Sequence, residues 1–179
     1  MSTVRPDESI LTDRLDLRPV AVKDADELAA IFADSRLYTF TGGDPSTLEA
    51  LRSTFARLAA ARTASASAQL NWVVRLRVDD QVIGMLQAIF TDGGHAAEIA
   101  WVIGVPWQGQ GLATEATRAV VVWLDAQGVQ TITAWIRPDH HASAAVALRA
   151  GLTSTGKYRD AKLHREQQWR RRLQNPSAT

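Results

Sequence analysis

Small residues at Gly109, Gly111 and Ala113, preceded by Gln108 and separated by Gln110 and Leu112, lie between two apolar runs, one ending at Ile103 and one beginning at Leu112. A loop of this kind entering a helix can wrap an anion without any basic side chain. The N–H groups of the first helical turn have no acceptor within the helix and carry a partial positive charge. Glycine lets those groups line a concave nest. Two glycines alone describe a plain strand-to-helix turn equally well. The loop contains no Gly-Lys-Ser/Thr, which argues against a triphosphate with magnesium, and it lacks the three-glycine dinucleotide spacing. A single carboxylate, Glu98, interrupts the apolar run from Ala97 to Ile103. Such a group is either a base for proton transfer or a strand-end carboxylate facing water or a cation. The chain has no cysteine, which excludes disulfides, zinc-thiolate sites and a cysteine nucleophile. Histidines at 95, 140, 141 and 164 show no i, i+4 spacing, so no metal site is expected.

The elements that must hold these residues can be read from periodicity. Leu15 to Pro19 alternates as a half-buried strand does, and Asp24, Asp26 and Glu27 announce a helix running to about Ala33. Asp44 as cap and Pro45 at the first helical position predict a second helix, with Leu48, Leu51, Phe55 and Leu58 at helical spacing and an end near Ala61. Strands follow over Trp72 to Val78 and Val82 to Phe90, joined tightly through Asp79-Asp80-Gln81. A third, Ala97 to Ile103, reads as a central strand covered on both sides. Leu112 to Ala126 is a helix with a core stripe of Ala113, Ala116, Val120 and Leu124, ended by Gly128. A strand over Thr131 to Arg137, a short helix over Ala142 to Ala150 and strands near Thr153 to Tyr158 and Gln167 to Leu173 complete the chain. That order predicts an α/β (α+β) protein built on a single mixed sheet with helices on both faces. At 179 residues one domain is expected, with 1–10 flexible and 174–179 frayed.

Gln-x-x-Gly-x-Ala from Gln108 to Ala113, followed by Thr114-Glu115-Ala116, resembles the coenzyme A loop of the GCN5-related N-acetyltransferases (GNAT), in particular the RimJ/RimL-like branch. Leu11-Thr12-Asp13-Arg14-Leu15 with Leu17-Arg18-Pro19 is similar to that branch's opening strand, and Ala97-Glu98-Ile99-Ala100-Trp101 to its fourth. Pro138-Asp139-His140-His141-Ala142-Ser143 through Ala150-Gly151-Leu152 resembles its Pro-Glu/Asp-Asn-x-x-Ser to Gly-Phe segment. The likeness covers about Leu11 to Tyr158. It implies the GNAT fold, a mostly antiparallel twisted sheet of about seven strands, and acetyl-CoA as cosubstrate with no metal. Gln108, Gly109, Gln110, Gly111, Leu112, Ala113 and Thr114 would then hold the phosphates. Backbone near Ile103 and Val105, at a splayed strand end, would meet the pantetheine arm. His140 stands where the family has Asn, and the tyrosine that many members use as general acid aligns with Ala147, leaving Ser143 as the local substitute.

Acetyl transfer needs a neutral amine, stabilisation of the oxyanion and a proton for the departing thiolate. A lysine-like amine, with a pKa of about 10.4, must lose a proton to a base near neutrality. Glu98 is the candidate base, five residues before Ile103 and so about 17 Å along an extended strand. Ser143 is a candidate thiolate donor or a helix cap, with Tyr158 as runner-up acid. For the acceptor, a peptide N-terminus or a small amine, the candidates are Tyr38, Phe40, Trp101 and Trp135.

The residues 157–173 carry seven Lys/Arg against two Asp/Glu in a chain of net charge +1. Arg170-Arg171-Arg172 reads as a solvated edge strand protected by charge, in preference to a nucleic-acid contact. No apolar run reaches the roughly 20 residues a membrane span requires, and a cytoplasmic protein is expected. A homodimer is compatible with this reading. Two rivals remain: a non-catalytic acyl-CoA sensor, and a ribosome- or RNA-associated protein using the basic tail.

Overall fold

A computed structural model describes residues 8–40, 42–63, 69–161 and 164–172. Among these residues eight strands form one sheet, and four helices cover it. The strands are β1 (Ile10–Leu11), β2 (Leu15–Pro19), β3 (Gln69–Leu76), β4 (Val82–Thr91), β5 (Ala96–Ile103), β6 (Thr131–Ile136), β7 (Thr153–Asp160) and β8 (Arg165–Arg172). The helices are α1 (Ala25–Phe32), α2 (Leu48–Thr63), α3 (Leu112–Ala126) and α4 (His141–Arg149). Sheet order is β1-β2-β3-β4-β5-β6-β8-β7. Every neighbouring pair is antiparallel except β5 and β6, which are parallel and joined by α3 as the crossover.

The eighth strand, absent from the sequence reading, is β1. Two residues carry too little periodicity to announce a strand, but Ile10 pairs with Leu17 and is buried, so this part of 1–10 belongs to the core. The β3 end, the α2 start and the place of the arginine-bearing strand also differ. Val78, expected within a strand, is 87% exposed in the turn between β3 and β4, where Asp80 adopts a left-handed φ of 59°. Helix α2 begins at Leu48, because the Thr47 hydroxyl caps it by accepting from the Ala50 N–H at 3.2 Å; Pro45 stays outside. The arginine run lies on β8, which is paired on both sides by β6 and β7, so it is not an edge. Arg171 instead reaches Asp125 of α3 at 2.5 Å.

Alternation along the strands sorts the core into two layers. Leu86, Ala88, Ile99, Ile132 and Ala134 pack on α3 and α4. Val73, Val82 and Met85 pack on α1 and α2 through Leu28, Leu51 and Phe55. Trp72 meets Trp123 of α3 edge to face at 5.4 Å, a contact worth about 0.5–1.5 kcal/mol beyond its burial. Ala113, expected in the α3 core stripe, packs half-buried against this core and also lines the cleft described below, while Leu112, Thr117 and Val121 join the buried set.

One ion pair ties α1 to the sheet. Arg75 of β3, only 7% exposed, donates to Asp24 at 2.9 Å and to Glu27 at 2.7 Å, and Asp24 is itself 3% exposed. Asp24 also accepts the Ala21 N–H at 2.8 Å, which fixes the entry into α1. Removing one partner of such a pair strands a buried charge. Asp24→Ala is therefore expected to lower unfolding free energy by about 3–5 kcal/mol, measurable by urea denaturation; a loss below about 1 kcal/mol would mean that Glu27 and Asp80, its other partners, satisfy Arg75.

Candidate functional site

The parallel pairing of β5 and β6 spans only Ala96 to Glu98 against Thr131 to Thr133. Beyond those residues the two strands diverge, although β5 continues to Ile103 and β6 to Ile136. Backbone groups on the facing edges of the fork consequently have no strand partner, and a polar ligand can take them. A cleft of about 670 Å³ fills the fork and runs from one face of the sheet to the other.

On the α3 side the cleft begins at the glycine loop. A short 3-10 turn, Val105–Trp107, leads into Gly109 at φ 75° and Gly111 at φ 79°, and α3 starts at Leu112. The first helical hydrogen bond runs from Glu115 N–H to the Gly111 carbonyl at 3.0 Å. The N–H groups of Leu112, Ala113 and Thr114 have no acceptor within the helix, and all three residues line the cleft. A Cβ added to Gly109 would meet nothing within 4 Å. The requirement for glycine there is the left-handed backbone itself and not crowding.

Side-chain contacts from a distant segment hold this loop. Glu115 accepts from the Thr12 hydroxyl at 2.6 Å, from the Arg14 backbone at 3.0 Å and from Arg14 Nε at 2.7 Å. Arg14 donates onward to the Gln110 carbonyl at 3.1 Å. Burial works to raise the Glu115 carboxyl, but hydrogen bonds from Thr12 and Arg14 outweigh it and hold the group below the usual carboxylate range. Gln108 donates to the Ile103 carbonyl at 2.8 Å, and Gln110 to the Pro106 carbonyl at 3.2 Å. These two glutamines brace the loop with their side chains.

Of the residues expected at the cofactor site, Ile103, Gln108, Gly109, Gly111, Leu112, Ala113 and Thr114 line the cleft, as do His140 and Ser143. Val105 and Gln110 do not; the Val105 carbonyl accepts the Gln108 N–H at 3.2 Å, and Gln110 turns toward Pro106 and Arg14. Arg149 on α4 also lines the cleft and makes no ion pair among the described residues, a cationic neighbour that no sequence pattern flagged. Ser143 does not cap α4. Its hydroxyl lies 3.0 Å from His140 Nε2, while His140 Nδ1 is buried without a partner. Burial pushes the His140 imidazole below its ordinary range, more than Asp139 raises it, so the ring is neutral near pH 7.

The other end of the cleft opens on the α1 and α2 side. Cross-strand register puts Glu98, Ala100, Thr133 and Trp135 on that face, and Trp101 on the opposite one with Ile99. Tyr38, Phe40 and Trp135 line the opening, and Trp101 lines the α3 side. Ala100 is exposed, so β5 is not covered on both sides as its apolar sequence suggested. The small side chain leaves the cleft its floor. Phe40 stacks on His140 with ring centroids 3.9 Å apart, so the segment after α1 touches the start of α4 across the fork.

Glu98 is the last paired residue before the fork opens, but its carboxylate is engaged. Arg159 of β7 donates to both of its oxygens at 3.2 Å, and Glu98 is not among the residues lining the cleft. Tyr158 is 43% exposed with Arg165 over its ring at 4.4 Å, and it too lies outside the lining. Among the described residues, no cluster of three or more His, Asp or Glu could hold a metal ion, and no helix is long and apolar enough to cross a membrane.

A family model described as an acetyltransferase (GNAT) domain matches residues 14–153. The chain belongs to the GNAT acetyltransferase family. It is therefore an acetyltransferase domain, of a family whose cosubstrate is acetyl-CoA. Solved structures agree on the fold. An acetyltransferase (GNAT family) from Bacillus anthracis superposes with a TM-score of 0.79 at 20% identity, covering 92% of this chain and 98% of that one. RimL, a ribosomal L7/L12 alpha-N-protein acetyltransferase in complex with coenzyme A, gives 0.82 at 18% identity over 93% and 98%. The ribosomal-protein-S5-alanine acetyltransferase from Vibrio fischeri gives 0.80 at 20% identity over 93% and 97%. Comparison with curated protein sequences returns no match.

Two outcomes test this site. Gly111→Val puts a β-branched residue at φ 79°, a strain of about 1–3 kcal/mol; coenzyme A affinity by calorimetry should fall about tenfold or more with the domain still folded, and unchanged affinity would move the phosphates elsewhere. For His140 the sign follows from its lowered folded-state pKa: between that value and 6.5 the unfolded chain binds more protons, so stability declines as pH falls through about 6.5. His140→Asn should flatten that part of the stability profile, read by denaturation at a series of pH values. An unchanged slope would show that the imidazole is not the group responsible.

Proposed function

We propose that this single-domain protein transfers the acetyl group of acetyl-CoA directly to a primary amine in a ternary complex. The observation carrying this reading is the continuous cleft, which joins the N–H-lined loop at 109–114 to the aromatic opening at Tyr38, Phe40 and Trp135. Two substrates entering from opposite faces would meet inside the fork. Holding both in register converts a bimolecular step into an effectively unimolecular one.

In this reading the N–H groups of Leu112, Ala113 and Thr114, with Arg14 and Arg149 nearby, hold the phosphates of the cosubstrate. Unpaired backbone on the β5 edge binds the amide groups of its arm and the thioester oxygen. Glu98 receives the proton of the ammonium form of the amine, and Ser143 supplies a hydrogen bond or proton to the departing thiolate. The support for Ser143 is its place in the cleft lining and its 3.0 Å contact with the neutral His140 imidazole, which orients the hydroxyl. Val105 and Gln110 keep a role in shaping the loop, and Tyr158 has the weakest claim because it lies outside the cleft. Two of the similar structures, RimL and the S5-alanine acetyltransferase, are named for action on ribosomal proteins, which supports a peptide N-terminus as acceptor; a small amine is the other candidate. A cytoplasmic location fits such substrates.

One observation favours a second reading, a non-catalytic acyl-CoA sensor: the candidate base is held by Arg159. An acceptor panel that records thiol release from acetyl-CoA separates the two. Turnover on at least one amine is expected, with Glu98→Gln lowering kcat by about 10²–10⁴ and leaving coenzyme A affinity unchanged. Tight cofactor binding with no turnover on any amine would favour the sensor.

A further inference from the structure

The ion pair that holds Glu98 also describes the acceptor. Glu98, Thr133, Trp135, Glu166 and Arg159 share one face of the sheet, because Glu98 pairs with Thr133 across β5 and β6 and Arg159 pairs with Glu166 across β7 and β8. Arg159 is fixed from two sides by groups other than Glu98. Its Nε donates to Glu166 at 2.7 Å, and its guanidinium lies 4.4 Å over the ring of Trp135. Glu166 is in turn 3.1 Å from His164 Nε2. The two terminal nitrogens of Arg159 meet Glu98 at the longer distance of 3.2 Å each. The guanidinium is thus positioned without Glu98, and its outer fork suits any carboxylate or phosphate.

The charge of the cleft points the same way. Arg159 itself stands just behind the lining, held there by Trp135 and Glu166, which do line the cleft; among the described residues the charged lining is Arg36, Arg137 and Arg149 against a single carboxylate, Glu166. Asp34 and Asp139 neutralise the first two arginines, leaving no surplus of negative charge to attract a simple ammonium ion.

We propose that the acceptor is a small amine bearing a carboxylate or phosphate a few bonds from its nucleophilic nitrogen, and that this anion takes the fork of Arg159 in place of Glu98. The proposal rests on the transfer reaction proposed above and names its substrate class. Released from Arg159, both Glu98 oxygens are free to accept from the ammonium group. It takes one proton from the ammonium group; the amine nitrogen then bonds to the acetyl carbon, the carbon–sulfur bond breaks, and the second nitrogen proton goes to the thiolate sulfur. The products are the amide, the free thiol of coenzyme A and one proton passed from Glu98 to solvent. An acceptor without the anion leaves Glu98 locked, which selects against other amines before chemistry begins.

The test uses the full chain, acetyl-CoA and matched acceptors: leucine against leucinamide, and phosphoethanolamine against ethanolamine, with kcat/KM from thiol release compared across a pH series. The anionic member of at least one pair should be favoured by about tenfold or more, and which pair responds distinguishes carboxylate from phosphate. Arg159→Gln should collapse that ratio toward one and raise kcat on the neutral member, whereas Arg159→Lys should keep part of the preference. Equal or better use of both neutral members by the unmodified protein would overturn the proposal while leaving acetyl transfer intact. A preference retained by both Arg159 variants would overturn it as well, and absence of turnover on every amine would overturn the transfer reaction itself.

Discussion

Everything at the site depends on one interruption of hydrogen bonding. Parallel strands β5 and β6 pair for three residues and then part, and the backbone of a central strand left open costs free energy unless something polar fills the gap. A crossover helix is what makes the interruption possible. Parallel neighbours need a long connection, and α3 both supplies it and points its N-terminus at the mouth of the opening. The fork, the anion nest and the route between the faces of the sheet are therefore consequences of a single topological fact. Beyond the fork each strand keeps its other neighbour, β4 for β5 and β8 for β6, so the opening does not dissolve the sheet.

The geometry of the fork is kept by contacts between distant segments. Arg14 and Glu115, brought together from the β1–β2 connection and the first turn of α3, anchor the glycine loop against an edge of the sheet. Phe40 on His140 joins the acceptor side to the start of α4. Gly84 admits a close approach of β5, since a Cβ there would lie 2.1 Å from the Val102 carbonyl oxygen. None of these contacts is large in energy, and an exposed ion pair contributes about 0–1 kcal/mol. Their importance lies in position: a shift of about 1 Å at a reacting centre can cost about a hundredfold in rate.

Charge at the acceptor end is arranged as closed pairs. Arg36 with Asp34, Arg137 with Asp139 and Arg159 with Glu98 and Glu166 leave few uncommitted groups. Such an arrangement is inert until a ligand exchanges one partner for another. Under the proposed reading, recognition of the acceptor and release of Glu98 are the same event.

What the sequence by itself determined was the loop and its surroundings. Gly109 and Gly111 before an amphipathic helix, the lone carboxylate at Glu98 and the segment from His140 to Leu152 are each short contiguous patterns, and local periodicity places each on its element. The sheet order and the partners of the charged groups were decided only by tertiary structure. Insertion of β8 between β6 and β7 brings Arg159 to Glu98 across 61 positions, and packing of α3 on the first strands brings Arg14 to Glu115 across 101. Alternation along a strand says which side chains share a face, but not which strand lies beside it. The role of Glu98 therefore turns on a neighbour that no spacing in the chain could reveal.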